Sequence, residues 1–255
     1  MEKQKRFNFL YAKPAALIVP LVLLALWEVA GWLGYIPKTI LPRPSLILEA
    51  TIRLISKTTL QKDIGISLYR VIRGYLIGAS LGIVVGIILG IFRSAENLLS
   101  LLLNILRPIP IIAWVPVLIL WMGIGETSKV TVIAIGTFWP VLLNTIDGIH
   151  NVDKKYKEVA ALFKKSRFVT LRKVVFPAAI PTIFTGLRIS IGSAWISVIG
   201  AEMIASSSGL GYLISYSREL AQPASMLVGV FVIGLIGTLI NSLLLLLQRK
   251  LVYWN

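Results

Sequence analysis

The chain has 255 residues, of which 56% are hydrophobic and only 15% are charged, whereas soluble domains carry about 25% charged residues. This composition excludes a soluble globular protein and predicts an integral membrane protein with one helical domain. The formal net charge of +15 fits the excess of basic residues in short membrane-protein loops and does not indicate a nucleic-acid partner. The chain has no cysteine, which excludes disulfides and thiolate metal sites.

Long apolar runs predict an all-α, polytopic fold with about six transmembrane helices. "RPIPIIAWVP" (107–116) interrupts the third span. The first span is predicted to be retained, because no small-residue cleavage site follows it. Residues 1–13 are predicted to be a cytoplasmic N-terminal segment, and residues 14–250 a single transmembrane domain. The predicted spans are residues 14–32, 67–92, 98–121, 130–146, 181–204 and 225–247.

The distribution of basic residues predicts the orientation. With the N-terminus inside, the inner segments hold 15 basic residues and the outer segments nine, so both termini are predicted to be cytoplasmic. Seven of the nine outer charges fall between Lys38 and Arg73. This region includes "SLILEATIRLISKTTLQ" (45–61), whose apolar residues recur at helical spacing and predict an interfacial amphipathic helix.

The second span carries glycine at every fourth position, which aligns the glycines on one helix face. Such a groove lets another helix approach closely, so we expect a packing surface rather than a chemical site. The glycines are Gly74, Gly78, Gly82, Gly86 and Gly90.

No pattern of reactive residues indicates an enzyme. The only histidine is His150, and "GIGETSK" (123–129) lacks the spacing of a phosphate-binding loop. The serines at 190, 193 and 197 have no evident base partner. We therefore expect no catalytic residue, no metal site and no cofactor in this chain.

The segment between the fourth and fifth spans is both basic and amphipathic. Eight basic residues lie between Lys154 and Lys173, yet Val159, Leu162 and Phe163 share one helix face. Periodicity alone leaves two partners open, namely anionic lipid and a protein groove that accepts an amphipathic helix.

The stretch "YKEVAALFKKSRFVTLRKVVFPAAIPTIFTGLR" (156–188) resembles the EAA loop of binding-protein-dependent ABC importer permeases of type I. Glu158, Val159 and Ala160 match the start of that motif, and Pro177 matches its end, so the coupling loop is placed at about 152–178. The resemblance extends to "LPRPS" (41–45), "RPIPIIAWVPVLILWMGIGETSK" (107–129), "GTFWPVLLNTIDGI" (136–149) and "ISVIGAEMIASSSGLGYLISYSRE" (196–219). These pieces are most similar to the nitrate, taurine and aliphatic-sulfonate branch.

Two residues depart from the family pattern. Val159 replaces an alanine, and Lys164 stands where the family has glycine. If that glycine makes a left-handed turn, lysine there costs about 1 kcal/mol. The loop is then either helical through Lys164 or is matched to a different partner groove.

The resemblance implies a translocation subunit of an importer in a prokaryotic plasma membrane. Its implied partners are a second identical permease, two cytoplasmic ATPases that bind ATP and Mg, and an extracytoplasmic solute-binding protein. The implied solute is a small anion such as a sulfonate, taurine, nitrate or bicarbonate. A self-contained secondary transporter or channel is the alternative, although it requires inverted repeats that the sequence does not show. The implied ATPase-coupling residues are Glu158, Val159, Ala160, Leu162, Phe163, Lys164 and Pro177.

Charged residues within spans are candidates for the translocation pathway. Arg107 adjoins Pro108 and Pro110, which interrupt the helical hydrogen bonds of the third span. Arg188 and Glu202 lie in the fifth span. Internal ion pairs or snorkelling to the interface are the alternative interpretation of these charges.

Overall fold

The computed structural model describes residues 15–251 except residue 165. The described residues form α-helices and one π-helical turn, and they include no β-strand, which confirms the all-α fold. The predicted segment 1–13 lies outside the described residues. The helices are α1 (Ala15–Trp32), α2 (Pro44–Ser56), α3 (Thr59–Ile91), α4 (Arg93–Leu106), α5 (Ile111–Met122), α6 (Glu126–His150), α7 (Lys154–Leu162), α8 (Arg167–Thr170), α9 (Phe176–Ala205), α10 (Leu210–Glu219) and α11 (Pro223–Leu251), with the π turn Leu171–Val175.

Each predicted span coincides with a helix or with a bent pair of helices. Four segments are long and apolar enough to cross a bilayer, namely Thr59–Ile91, Glu126–His150, Arg167–Ala205 and Pro223–Gln248. The bent α4–α5 pair makes a fifth span when the two helices are counted together, and Ile18–Trp32 is a shorter apolar helix.

The third predicted span is not one straight helix. It divides into α4 and α5, which are bent by 96° at residues 107–110. Pro108 and Pro110 cannot donate backbone hydrogen bonds, so the ladder ends there. The sequence located the interruption, but it did not predict so sharp a bend.

The glycine face of α3 packs directly against α6. A Cβ on Gly74 would lie 2.5 Å from Ile133 Cβ, and one on Gly86 would lie 2.6 Å from Thr145 Cβ. All five glycines are buried along this contact, and residue numbers rise together along both helices. The two helices therefore run in the same direction at a separation that side chains on α3 would prevent.

Helix α9 completes the core by packing antiparallel to α6. Gly136 faces Ser197 near one end of α6, whereas Gly148 faces Ala179 near the other. We call the end of the bundle near α7 the α7 end, and the opposite end, where α6 begins and α9 stops, the α10 end.

Helix α2 is the amphipathic helix predicted before the second span, but it is not purely interfacial. Its Ile47 and Ala50 are buried in the same cluster as Trp195 and Val228, so α2 caps the bundle. The turn at Lys57 and Thr58, with Thr58 at φ 56°, separates α2 from α3.

Candidate functional site

The predicted coupling loop begins with the short helix α7. The Asp153 carboxylate Oδ1 accepts the Lys155 N–H at 2.9 Å and so caps the start of the helix. The Phe163 N–H donates to the Val159 carbonyl at 3.1 Å in its last turn. Glu158, Val159, Ala160 and Leu162 therefore lie on one helix of nine residues, and Phe163 follows directly after it.

Lys164 adopts the left-handed conformation, with φ at 51°. Helix α7 ends before it at Leu162 and α8 starts at Arg167, so the first of the two alternatives, a loop that is helical through Lys164, is wrong. The chain makes the turn for which glycine is usually needed, although a lysine there costs roughly 1–2 kcal/mol.

After the turn, the chain is helical from Arg167 to Ala205, so the fifth span starts well before the predicted Pro181. The Ser166 hydroxyl caps this helix by accepting the Val169 N–H at 3.4 Å. Between α8 and α9 the Phe176 N–H donates to the Leu171 carbonyl, five residues back. Pro177 follows immediately. Its ring would clash with a carbonyl four residues back, and the wider π turn relieves that clash.

The end of α7 presents apolar side chains to the surroundings. Val159 is 49% exposed, Leu162 81% and Phe163 70%, and Glu158 is exposed beside them. Ala160 differs from these residues because it is buried at 7% against the chain itself. Ala160 therefore lets α7 lie close to the following helix, while its neighbours form a free apolar surface.

At the α10 end, Arg70 of α3 lies in a buried ion-pair network. Its Nε and Nη2 donate to the two carboxylate oxygens of Glu126 at 2.8 and 2.6 Å. Its Nη1 donates to Glu202 Oε1 at 2.8 Å and to the Ser208 carbonyl at 2.7 Å. Only 2% of the Arg70 side chain is exposed. Through these contacts one guanidinium links α3, α6 and α9 at the α10 end of the bundle.

Glu202 is the acidic centre of this network and is fully buried. It accepts the Ser67 hydroxyl at 2.8 Å and the Gly211 N–H at 2.9 Å. Gly209, at φ 109°, lies so close to the carboxylate that a side chain would overlap it. The internal ion pair was the alternative interpretation of Glu202, and the structure adopts it.

Sequence reasoning missed Arg70, which was counted among the charges of an outer segment. The structure places it inside α3 and buries it. A signal was present in the sequence, since Asp63, Ser67 and Arg70 continue the helix face of Gly74 and Gly78. Polar residues in register with a packing face indicate buried partners on the neighbouring helix.

Arg107, Pro108 and Pro110 lie at the corner between α4 and α5. The sequence analysis placed Arg107 beside two prolines in an interrupted span, and in the single chain the structure leaves its side chain exposed. Arg188 lies apart from this corner, where its Nη1 donates to Gln248 Oε1 of α11 at 3.3 Å. The two arginines therefore do not form one site within the chain.

A cavity of about 690 Å³ opens at the α7 end between the ends of α3 and α6 and the start of α8. Arg93, His150 and Arg167 bring basic groups to its lining. His150 Nε2 also lies 3.5 Å from Glu96 Oε2 of α4. Among the residues that the structure describes, no three histidine, aspartate or glutamate side chains are grouped to hold a metal ion.

These features define a helical membrane component with a short exposed amphipathic helix, and the comparisons with known proteins identify its family. The family model described as "Binding-protein-dependent transport system inner membrane component" matches residues 82–253, and the chain belongs to this family. It is a multi-pass permease subunit of an ABC importer, a translocation component rather than an enzyme or a self-contained transporter. Such permeases work with an ATPase and a solute-binding protein.

Two relatives narrow the branch, and one solved structure supports the fold. SsuC of Bacillus subtilis (strain 168), named as an aliphatic sulfonates transport permease, is 39% identical and covers 99% of this chain and 90% of its own length. The taurine transport permease TauC of Escherichia coli (strain K12) is 33% identical, covering 92% and 87%. The MetNI methionine ABC transporter, in inward-facing conformations, matches with a TM-score of 0.59 at 16% identity, covering 73% of this chain and 96% of that chain.

Proposed function

We propose that two copies of this chain form the translocation pathway of an importer for small organic anions that carry a sulfonate group. The observation that carries the proposal is the exposed apolar end of α7, with Val159, Leu162 and Phe163 next to Glu158. Exposing this apolar surface to water is unfavourable, and a groove on a partner protein would bury it.

The partner that fits this surface is a cytoplasmic ABC ATPase, which binds ATP and Mg itself. Each chain offers one coupling loop, while such ATPases act in pairs, and this favours a homodimer with two ATPases. The basic residues around α7 favour a cytoplasmic α7 end with both termini on that side of a prokaryotic plasma membrane. An external binding protein then delivers solute at the α10 end.

The solute class rests on the relatives. SsuC is named for aliphatic sulfonates and TauC for taurine, and taurine is itself a sulfonate. Exposed Arg107 at the α4–α5 corner offers a cation for such an anion. Arg188 is assigned a structural role through Gln248.

Reconstitution tests the proposal. Proteoliposomes with this chain, its ATPase and its binding protein are expected to accumulate radiolabelled taurine or ethanesulfonate only when ATP is supplied. Vesicles without the ATPase, energised by a sodium or proton gradient, serve as the control. Uptake in those control vesicles, or ATP-driven uptake that ignores sulfonates, would contradict the proposal.

A further inference from the structure

Helix α4 carries a row of polar side chains that points away from the core of the chain. The row comprises Arg93, Asn97, Ser100, Asn104 and Arg107, and we call it the polar stripe. At 100° per residue these positions fall within an arc of about 80°. Arg107 follows α4 with helical φ and ψ of −56° and −46°, so the stripe is about 21 Å long.

Apart from Ser94 and from Glu96, whose carboxylate lies 3.5 Å from His150 beside the stripe, the other two faces of α4 are apolar. Ala95, Leu99 and Leu103 pack on the core formed by α3 and α6. Leu98 and Leu101 are 81% and 71% exposed, and Leu102 and Ile105 lie beside them. One face therefore contacts the protein and the second suits lipid, which leaves the polar stripe as a third, separate face.

The polar stripe lacks partners in the part of the chain that the structure describes. Ser100 donates to the Asn97 carbonyl at 2.8 Å, but no described residue hydrogen-bonds to the amides of Asn97 and Asn104 or to the guanidinium groups of Arg93 and Arg107. Asn97 and Asn104 are both exposed. In the hydrocarbon of the bilayer these polar groups would have no hydrogen-bond partners. This face therefore requires water or a polar ligand.

Both ends of the polar stripe carry positive charge. At the α7 end, Arg93 lines the cavity of about 690 Å³ together with His150 and Arg167. At the other end, Arg107 lies where the chain bends by 96° into α5. Neutral amide and hydroxyl donors occupy the positions between the two arginines.

We propose that the polar stripe lines the water-filled pathway and binds the oxyanion head group of the solute as it crosses. This inference rests on the proposed function and names a path within it. Arg107 attracts the anion, Asn104, Ser100 and Asn97 offer neutral hydrogen-bonding groups, and the basic cavity receives the anion at the α7 end. Neutral groups between the charges bind weakly enough to release the anion to the next position, as conduction requires.

The absence of cysteine from the sequence allows a direct test. Single cysteines replace Asn97, Ser100 and Asn104 on the polar stripe, or Leu98, Leu101 and Leu102 on the lipid-facing side as matched controls. The assembled complex in membrane vesicles is then treated with a water-soluble methanethiosulfonate reagent. Cysteines on the polar stripe are expected to react at least tenfold faster than the controls. Millimolar ethanesulfonate is expected to slow the reaction at Asn104→Cys at least threefold relative to equal chloride.

Equal, slow labelling of all six positions would mean that a second copy or lipid covers the polar stripe, and it overturns the inference. Fast labelling that ethanesulfonate does not slow overturns the anion-binding role. ATP-driven uptake by the unmodified chain is measured separately and tests the proposed function. If the chain supports ATP-driven uptake but all six cysteines label at the same slow rate, only the inference is refuted. If ethanesulfonate slows labelling of the polar stripe but no uptake occurs, the proposed function is refuted and the anion site is supported.

Discussion

Arg70 shows how a single buried cation holds three helices of the bundle together. A guanidinium offers five N–H donors in a rigid fork, and here those donors reach Glu126, Glu202 and Ser208. A lysine ammonium could not span these partners with the same geometry. The network therefore depends on arginine at this position and not merely on positive charge.

Replacing Arg70 with Met leaves Glu202 fully buried without a compensating cation. Removing one partner of a buried pair costs about 3–5 kcal/mol, so we expect a clear fall in the thermal unfolding midpoint of the purified chain in detergent. Arg73→Met is the matched control, because Arg73 lies on the same helix, is exposed, and donates a hydrogen bond to the hydroxyl of Tyr69, over whose ring it lies. Equal midpoints for the two variants would show that the network does not stabilise the fold.

Single residues also show what the sequence could and could not predict. It singled out Glu202 as a buried charge, but its partner Arg70 is 132 positions away in the chain, and no local pattern reports such a distance. The glycine spacing of α3 identified a packing face without revealing that α6 lies on it. Periodicity assigns a face to a helix, whereas the neighbour depends on the whole topology.

Among the elements, the turn between α7 and α8 sets the direction of α7, the helix that we propose couples to the ATPase. Lys164 holds this turn in the left-handed region at φ 51°. The sequence had flagged Lys164 as a departure from the family, yet a motif alone could not say whether the backbone or the partner had changed. In the structure the left-handed turn is retained, although lysine is unfavourable in this backbone conformation.

Two substitutions at this turn are expected to behave differently. Lys164→Gly removes the strain, and we expect ATP-driven uptake within about twofold of the parent, since glycine adopts this conformation freely. Lys164→Val places a β-branched residue where φ is positive, and we expect uptake to fall several-fold. Uptake assays in proteoliposomes decide between them. If valine transports as well as glycine, the left-handed turn is not needed for coupling.

The continuous helical segment from Arg167 to Ala205, which we call the rod, extends from the α7–α8 turn to the α10 end of the bundle. Its 39 residues correspond to about 58 Å, well beyond the roughly 30 Å of bilayer hydrocarbon. The π turn at Leu171–Val175 interrupts its regular hydrogen bonding next to the coupling loop. The sequence analysis started this span at Pro181, whereas the helix begins at Arg167 because the π turn before Pro177 accommodates the proline ring.

Across the whole molecule, this rod connects two distant features. One end follows the exposed apolar surface of α7, and the other carries Glu202 in the Arg70 network. Movement of an ATPase against α7 would therefore act on a helix anchored to α3 and α6 at the α10 end. This arrangement gives the two ends of the bundle a continuous physical connection, as a two-state transporter requires.

The central claim is that α7 couples this chain to ATP hydrolysis, and Glu158→Lys tests it most directly. Uptake and binding-protein-stimulated ATP hydrolysis are measured together on the reconstituted complex, with Lys155→Gln as the control at another exposed position of α7. We expect Glu158→Lys to lower uptake at least tenfold, either with loss of the ATPase from the complex or with hydrolysis that no longer drives transport. Lys155→Gln is expected to retain both activities. If Glu158→Lys leaves ATPase binding, stimulated hydrolysis and uptake intact, α7 is not the coupling element.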